Sequence, residues 1–380
     1  MKASWKKKIA ITLGILGFVI TICLVFVKIL YGGGTFYPSV NTTPIKQNSL
    51  KVLTELPYPP GMVASSQEGR LFFNYHMLHK PERFSQATLF EFVDGKKVPF
   101  PNIETQDKFY HAMGITVDHH QRLWVTIPRG LDGKQPSKLL AIDINTKEIV
   151  FEHQFKEGVG IFAQDLRVSL DGKTVYLADC GFLPLAVPSL IVLDIESKSS
   201  RVLLKDHSTL APQNWLIQRQ DGKPHQLFFG LLSFKVGFDG LAVSKDGHWL
   251  YMAAMSHDTV YRVPTRVLTD KNLDDEKISS FIEEVGKKPL SDGIELDKDN
   301  NLIITDVEYG SLAILTPEGK LNTLVQDKQI NWSDSITIAN DGTIYFTDSR
   351  LTDLINTLAQ PASKEKIIAN GPYKIYKVLP

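Results

Sequence analysis

The stretch FDGLAVSKDGHWLY, Phe238 to Tyr251, decides the fold. Gly240 opens a run of alternating apolar residues, Asp246-Gly247 supplies a tight turn and a second apolar strand follows, so the stretch predicts two neighbouring strands of a small antiparallel sheet. The pattern returns as MGITVDHHQRLWVT from Met113, DLRVSLDGKTVYLAD from Asp165, DGIELDKDNNLIITD from Asp292 and DSITIANDGTIYFTD from Asp334, with a looser copy, GMVASSQEGRLFF, from Gly61. Aligned on Gly61, Gly114, Leu166, Gly240, Gly293 and Ser335, the copies lie 53, 52, 74, 53 and 42 residues apart. A four-stranded blade needs about 40 to 55 residues, so six copies predict an all-β chain folded as a six-bladed β-propeller.

Each copy should be followed by two outer strands joined by a turn. TLFEFVDGKKVPF from Thr88, LLAIDINTKEIVFEHQF from Leu139, LIVLDIESKSSRVLL from Leu190 and SLAILTPEGKLNTLV from Ser311 read that way. Blade four gives TVYRVPTRVL from Thr259, an acidic stretch and then ISSFIEEV from Ile278. The last blade has a single outer strand, YKIYKV from Tyr373, while SLKVLTEL, Ser49 to Leu56, has no partner before the first repeat. Placing it in the last blade closes the ring and removes an exposed sheet edge. Two stretches do not fit the repeat: Lys205 to Gly237, rich in Trp and Phe, and Ser349 to Gly371, with a helix-like LTDLINTLAQ before Pro361. Both are candidate functional loops, the alternative being that they only pack over one face of the propeller. Lys271 to Glu284, rich in Asp, Glu and Lys, reads as a solvated loop.

Lys plus Arg and Asp plus Glu both total 42, and this balance gives no reason to expect a nucleic-acid partner, which demands a basic surface. Ile9 to Val27 is a run of 19 residues without a charge, nearly enough to span a hydrocarbon core of roughly 30 Å as a helix. Lys2, Lys6, Lys7 and Lys8 precede it and only Lys28 closely follows, which puts the N-terminus in the cytoplasm and the rest of the chain outside, in a periplasmic or extracellular space. The expected organisation is a cytoplasmic tip and transmembrane signal-anchor over 1–30, a flexible linker over 31–48 and the propeller over 49–380. Secretion after signal cleavage is the alternative, though no A-x-A site follows the run. Cys180 is the only cysteine after the apolar run, so no intrachain disulfide is expected there.

The run GFDGLAVSKDGHWLYMAAMSHDTVYRVPTRVLTD from Gly237, with its Tyr-Arg-Val-Pro, together with WSDSITIANDGTIYFTDSRL from Trp332 and the closing PYKIYKV, resembles the major royal jelly protein and yellow family over roughly residues 50 to 380. That family includes pigment-pathway, nutritive and ligand-binding members, so the resemblance implies a propeller without specifying an activity. More distantly the chain is similar to the senescence marker protein and gluconolactonase family, calcium-dependent lactone hydrolases on the same kind of propeller. That second resemblance implies a metal ligand from a Glu in the first blade, where this chain has PPGMVAS with no carboxylate near Gly61.

One position of the repeat concentrates chemistry. The residue before the strand-opening Gly or its equivalent is aspartate in four copies, Asp165, Asp239, Asp292 and Asp334, and Met113 in the second blade. Ring symmetry would point these side chains at one end of the central tunnel, as ligand-binding or metal-ligating groups. Gathered carboxylates repel, and a bound cation or protonation resolves the repulsion. Oxygen-only donors favour Ca²⁺ or Mg²⁺. The competing reading caps turns, as expected of Asp171, Asp246 and Asp341 in the hairpins, and Asp179, Asp306 and Asp348 read mainly as structural Asx-type acceptors. His76, His79, His111, His119 and His120 match no zinc spacing and read as surface or satisfied histidines. Three functions remain: a tunnel that binds a small polar or aromatic molecule, a metal-dependent lactone or ester hydrolase, and a non-catalytic scaffold for another envelope protein.

Overall fold

The protein is described here by a computed structural model covering residues 2–129, 133, 135–181, 186–355 and 362–380. Each copy of the repeat forms the two inner strands of a four-stranded antiparallel sheet. In blade four, Phe238–Val243 pairs with Trp249–Ala254, then Thr259–Pro264, then Glu283–Lys287. Five further sheets repeat the order, with innermost strands Pro60–Ser65, Ile115–Val117, Ala163–Val168, Ile294–Leu296 and Ser333–Ile338. Each innermost strand neighbours the next around a closed ring, so the fold is a six-bladed β-propeller.

Blade stacking explains why these strands read as nearly continuous apolar runs. Successive residues of a strand face opposite sides of its sheet, and here both sides meet another blade. On Thr174–Asp179, Val175 and Leu177 pack against blade two, and Tyr176 and Ala178 against blade four. The turn between the inner strands falls where the sequence places it. The backbone of Gly247 is left-handed, at φ +74°, and the Asp246 carboxylate accepts the His248 N–H at 3.0 Å. Leu50–Leu56 closes the ring as outermost strand of blade six, antiparallel to Tyr373–Val378.

Two expectations need correction. Residues 31–48 were expected to be a flexible linker, but much of this segment is strapped to the propeller. Thr35–Phe36 pairs in parallel with Trp215–Leu216. Thr42 and Thr323 exchange backbone-to-hydroxyl bonds at 2.8 and 2.9 Å, and Ile45 N–H reaches Thr323 O at 3.0 Å. The outer strand of blade five, Leu321–Gln326, offers unpaired edge groups, and this segment takes some of them. The acidic stretch 271–284 is not wholly solvated, because it holds a short helix, Asp275–Ser279, that is capped by Asp274 and buries Ile278. In the last insert, Leu351–Ile355 and Lys364–Asn370 are helical, and the remainder of the expected LTDLINTLAQ helix lies outside the described residues.

The N-terminal helix runs from Lys2 to Tyr31, and its Trp5–Tyr31 portion is long and apolar enough to cross a membrane. Val27 and Tyr31 at its end pack on the buried apolar cluster beneath the 205–237 insert.

Candidate functional site at the carboxylate end of the tunnel

A bulge aims three of the four carboxylates. Inner-strand pairing shifts register between Ala163 and Leu166, between Phe238 and Gly240 and between Ser333 and Ile336, at the positions of Asp165, Asp239 and Asp334. A bulge leaves a residue unpaired and redirects its side chain. Second-strand threonines take the backbone N–H groups of this turn: Gly114 donates to Thr126 Oγ1 at 2.7 Å, Gly293 to Thr305 Oγ1 at 2.9 Å and Ser335 to Thr347 Oγ1 at 3.2 Å. The glycine has a separate cause. A Cβ on Gly240 would lie 2.9 Å from the Asp292 carbonyl oxygen, and one on Gly293 2.7 Å from that of Asp334, so glycine lets successive blades close up around the axis.

All four aspartates are buried at this end of the tunnel, but their partners differ. Asp165 accepts from Arg167 at 2.7 Å and from Leu166 N–H at 2.7 Å. Asp292 accepts from the Trp332 indole at 2.7 Å through one oxygen and from Gln164 Nε2 at 2.9 Å through the other. Oδ2 of Asp239 and Oδ2 of Asp334 have no hydrogen-bond donor among the described residues. His76 Nε2 lies 3.6 Å from Asp334 Oδ2, but burial lowers the His76 pKa to about 4, so the ring is neutral there.

Burial, followed by repulsion from the other aspartates, holds Asp239 well above the ordinary carboxylate range, and Lys288 opposes this. Asp334 is raised for the same two reasons, with Asp292 the foremost neighbour. Asp292 is pushed up to about 7, chiefly by burial, while its bonds to Trp332 and Gln164 pull it back. The group thus lowers its charge by keeping protons. Lys288 is fully buried, donates to Pro289 O and Ser291 Oγ, and is lowered to about 7 by burial. Beside Asp334 lies a cavity of about 10 Å³, lined also by residues including Gly61, Asn74, His76, Met113 and Gln164. It has room for about one water or one small ion.

The 205–237 insert roofs this end. His225 and Phe234 meet the buried Trp332 edge-on, with ring centroids at 5.4 and 6.1 Å, so the roof braces the indole that donates to Asp292. Gln218 N–H is accepted by Glu308 at 2.6 Å, and Tyr37 of the N-terminal segment packs edge-on to Trp215. The second set of aspartates holds the surrounding loops as expected: Asp179 accepts Phe162 N–H at 2.9 Å, Asp306 accepts Glu308 N–H at 2.9 Å and Asp348 accepts Trp332 N–H at 3.0 Å.

At the opposite end, the last residues of the innermost strands and their turns line an open funnel of about 190 Å³. Arg167 stands in its wall, paired with Asp165 at 2.7 Å and Glu295 at 3.2 Å.

Sequence reading missed Gln164, Trp332, His76 and Lys288. Gln164 and Trp332 precede aspartates of the repeated position by one and two residues, a signal that was available. His76 and Lys288 belong to no repeated position. The histidine expectation holds for His119 and His120, which are exposed, but His79 is buried with neither ring nitrogen hydrogen-bonded among the described residues. Asp165, Asp239, Asp292 and Asp334 were expected to be a metal set and are brought together. Among the described residues, however, no three His, Cys, Asp or Glu side chains are placed to hold an ion jointly. Asp165 is turned to Arg167, and both Asp292 oxygens are engaged.

A profile described as Major royal jelly protein matches residues 111–370, from the second blade into the sixth. The chain belongs to the major royal jelly protein family. No curated protein sequence matches it. Among solved structures, this royal jelly family member is similar to a gluconolactonase from Xanthomonas campestris (TM-score 0.54, 14% identity, covering 87% of this chain and 89% of that one). It is also similar to a calcium-binding regucalcin from Agrobacterium tumefaciens (0.52, 13%, 86% and 92%) and to a luciferin-regenerating enzyme (0.52, 13%, 87% and 95%). At such identities the likeness is one of fold.

Proposed function

We propose that this royal jelly family protein is a membrane-tethered binding propeller, anchored by its N-terminal helix with the propeller outside the cytoplasm. Its carboxylate end takes a small molecule bearing an ammonium or similar hydrogen-bond-donating group. The observation that carries this is the pair of buried carboxyl oxygens, Asp239 Oδ2 and Asp334 Oδ2, without a donor among the described residues. A buried acceptor left without a donor costs about 1–3 kcal/mol, and a ligand donor recovers that cost. The cavity beside Asp334 holds about 10 Å³, so anything larger than an ion enters only when its lining shifts.

The same two oxygens favour one second reading, a calcium-dependent hydrolase. Calcium takes 6–8 oxygens, and with Asp165 and Asp292 engaged this set falls short, so the binding reading leads. Thermal unfolding of the full-length protein in detergent, against a panel of primary amines, lactones and calcium chloride, separates the two. An amine should raise the melting temperature of the wild type and not of Asp239→Asn. A calcium-dependent rise accompanied by lactone turnover, with no response to amines, would overturn the proposal in favour of the hydrolase.

A further inference from the structure

The 205–237 insert carries a feature that neither the propeller nor the carboxylate site uses. Between the short paired strands Gln226–Leu227 and Leu232–Ser233, the hairpin tip presents Phe228 and Phe229 to the outside, with relative exposures of 53% and 113%. Both have left-handed backbones, at φ +50° and +59°, a region that bulky side chains rarely occupy. Two adjacent aromatics in that conformation, turned away from every apolar cluster, are not explained by packing within the chain.

The tip is fastened to the N-terminal helix. The Lys28 ammonium donates to the carbonyl of Gly230, next in sequence to Phe229. A Cβ on Gly32 would lie 2.6 Å from Leu231 O, so helix end and hairpin are in backbone contact. Gln226 Nε2 reaches Gly32 O at 3.4 Å and Lys235 Nζ reaches Gly33 O at 2.6 Å. Lys28 follows directly on the uncharged run that ends at Val27, so it marks where an anchoring helix leaves the hydrocarbon. Whatever is fastened there lies at the depth of the lipid headgroups, where aromatic side chains partition well.

We infer that Phe228 and Phe229 insert into the interface of the bilayer that the N-terminal helix crosses, so that the roof of the carboxylate end faces the lipid surface. Lipid, and not a second copy of the chain, is the occupant because the tip is fastened to the helix at Lys28, where the chain leaves the hydrocarbon. The inference rests on the anchor reading above.

The test uses the full chain, with Cys23→Ala and Phe229→Cys, labelled with a polarity-sensitive fluorophore in phosphatidylcholine and phosphatidylglycerol vesicles. Cys180 is buried and stays, and Lys298→Cys, on an exposed turn at the far end of the tunnel, is the control. The label at 229 should emit to the blue of the control, lose most of its emission with lipids brominated on their acyl chains and resist iodide, whereas the label at 298 should show the reverse. A label at 229 that iodide quenches as it does at 298 overturns the inference. So does one shielded from both quenchers, which would put protein on the tip. Flotation of the same sample separates the two readings: a chain that does not float with vesicles overturns the anchor as well, and one that floats with a water-exposed label overturns this inference alone.

Discussion

Asp239 and Asp246 lie in one copy of the repeat, at opposite ends of the tunnel, and their acidities are moved in opposite directions. Asp246 sits on an exposed hairpin, where the Ser244 hydroxyl and the His248 N–H are aimed at its carboxylate and bring its pKa down to about 2. Asp239 sits beneath the roof, where burial and three other aspartates raise it. Residue type is the same, and what differs is the supply of donors and water. The hairpin end uses its aspartates to hold turns, while the roofed end concentrates carboxyl groups with too few donors, an arrangement that carries a stability cost which the proposed ligand would relieve.

The largest expected effect tests whether the roofed end is held from above. Trp332 is fully buried, braced by His225 and Phe234, and bonded to Asp292. Trp332→Ala should cost about 3–5 kcal/mol in urea unfolding of the full chain in micelles, as a large cavity forms and Asp292 loses a donor. Trp332→Phe keeps most of the volume and should cost roughly 1–2 kcal/mol. An alanine variant within about 1 kcal/mol of wild type would show that the indole is not what ties roof to carboxylates.

The second effect is a pH dependence, and its sign follows from the raised pKa. A carboxyl group whose folded pKa lies above its unfolded value contributes stability that is fully present below the unfolded pKa, about 4, and is lost as pH rises through the folded one. For Asp292 that window runs from about 4 to about 7, and Asp239 and Asp334 lose stability in the same direction. Buried histidines such as His76 act oppositely, so the informative quantity is a difference between variants. Asp239→Asn should match wild type near pH 4 and become progressively more stable than it towards pH 8, because the amide never ionises. A difference that does not change with pH would mean that Asp239 is a cap like Asp246.

What was legible follows the same division. The closing strand Leu50–Leu56 follows from being a strand without a partner beside a blade short of one. The hairpin turns and six blades rest on local signals, periodicity of two and Asp-Gly turns, which survive in the sequence because each repeat states them again. The gathering of Asp165, Asp239, Asp292 and Asp334 was legible for the same reason, through ring symmetry. Their partners were legible only as neighbours of the repeated position: Gln164 stands one residue before Asp165, yet its bond goes to Asp292, 128 positions away. The Lys28–Gly230 contact elsewhere in the fold, 202 positions apart, has no such signal. The segment 31–48 misled because Gly, Thr and Pro suit a flexible chain as well as one laid along an exposed strand edge, and only the presence of that edge decides.

The smallest expected effect sits at the hairpin end and completes the contrast. Asp246 accepts the His248 N–H at 3.0 Å, but its side chain is 58% exposed, so water screens and competes with these bonds. Asp246→Ala should therefore cost only about 0.5–1 kcal/mol at pH 7. Asp246→Asn, which keeps an acceptor oxygen, should cost less. The pH trend should run against that of Asp239. A depressed folded pKa contributes stability that is present above the unfolded value, about 4, and is lost as pH falls towards about 2, so the gap between wild type and Asp246→Ala should narrow between pH 5 and pH 3. Urea unfolding at pH 7, 5 and 3 measures it. If the gap instead widens on acidification, the turn is held by the neutral acid and the contrast between the two ends fails at its simpler end.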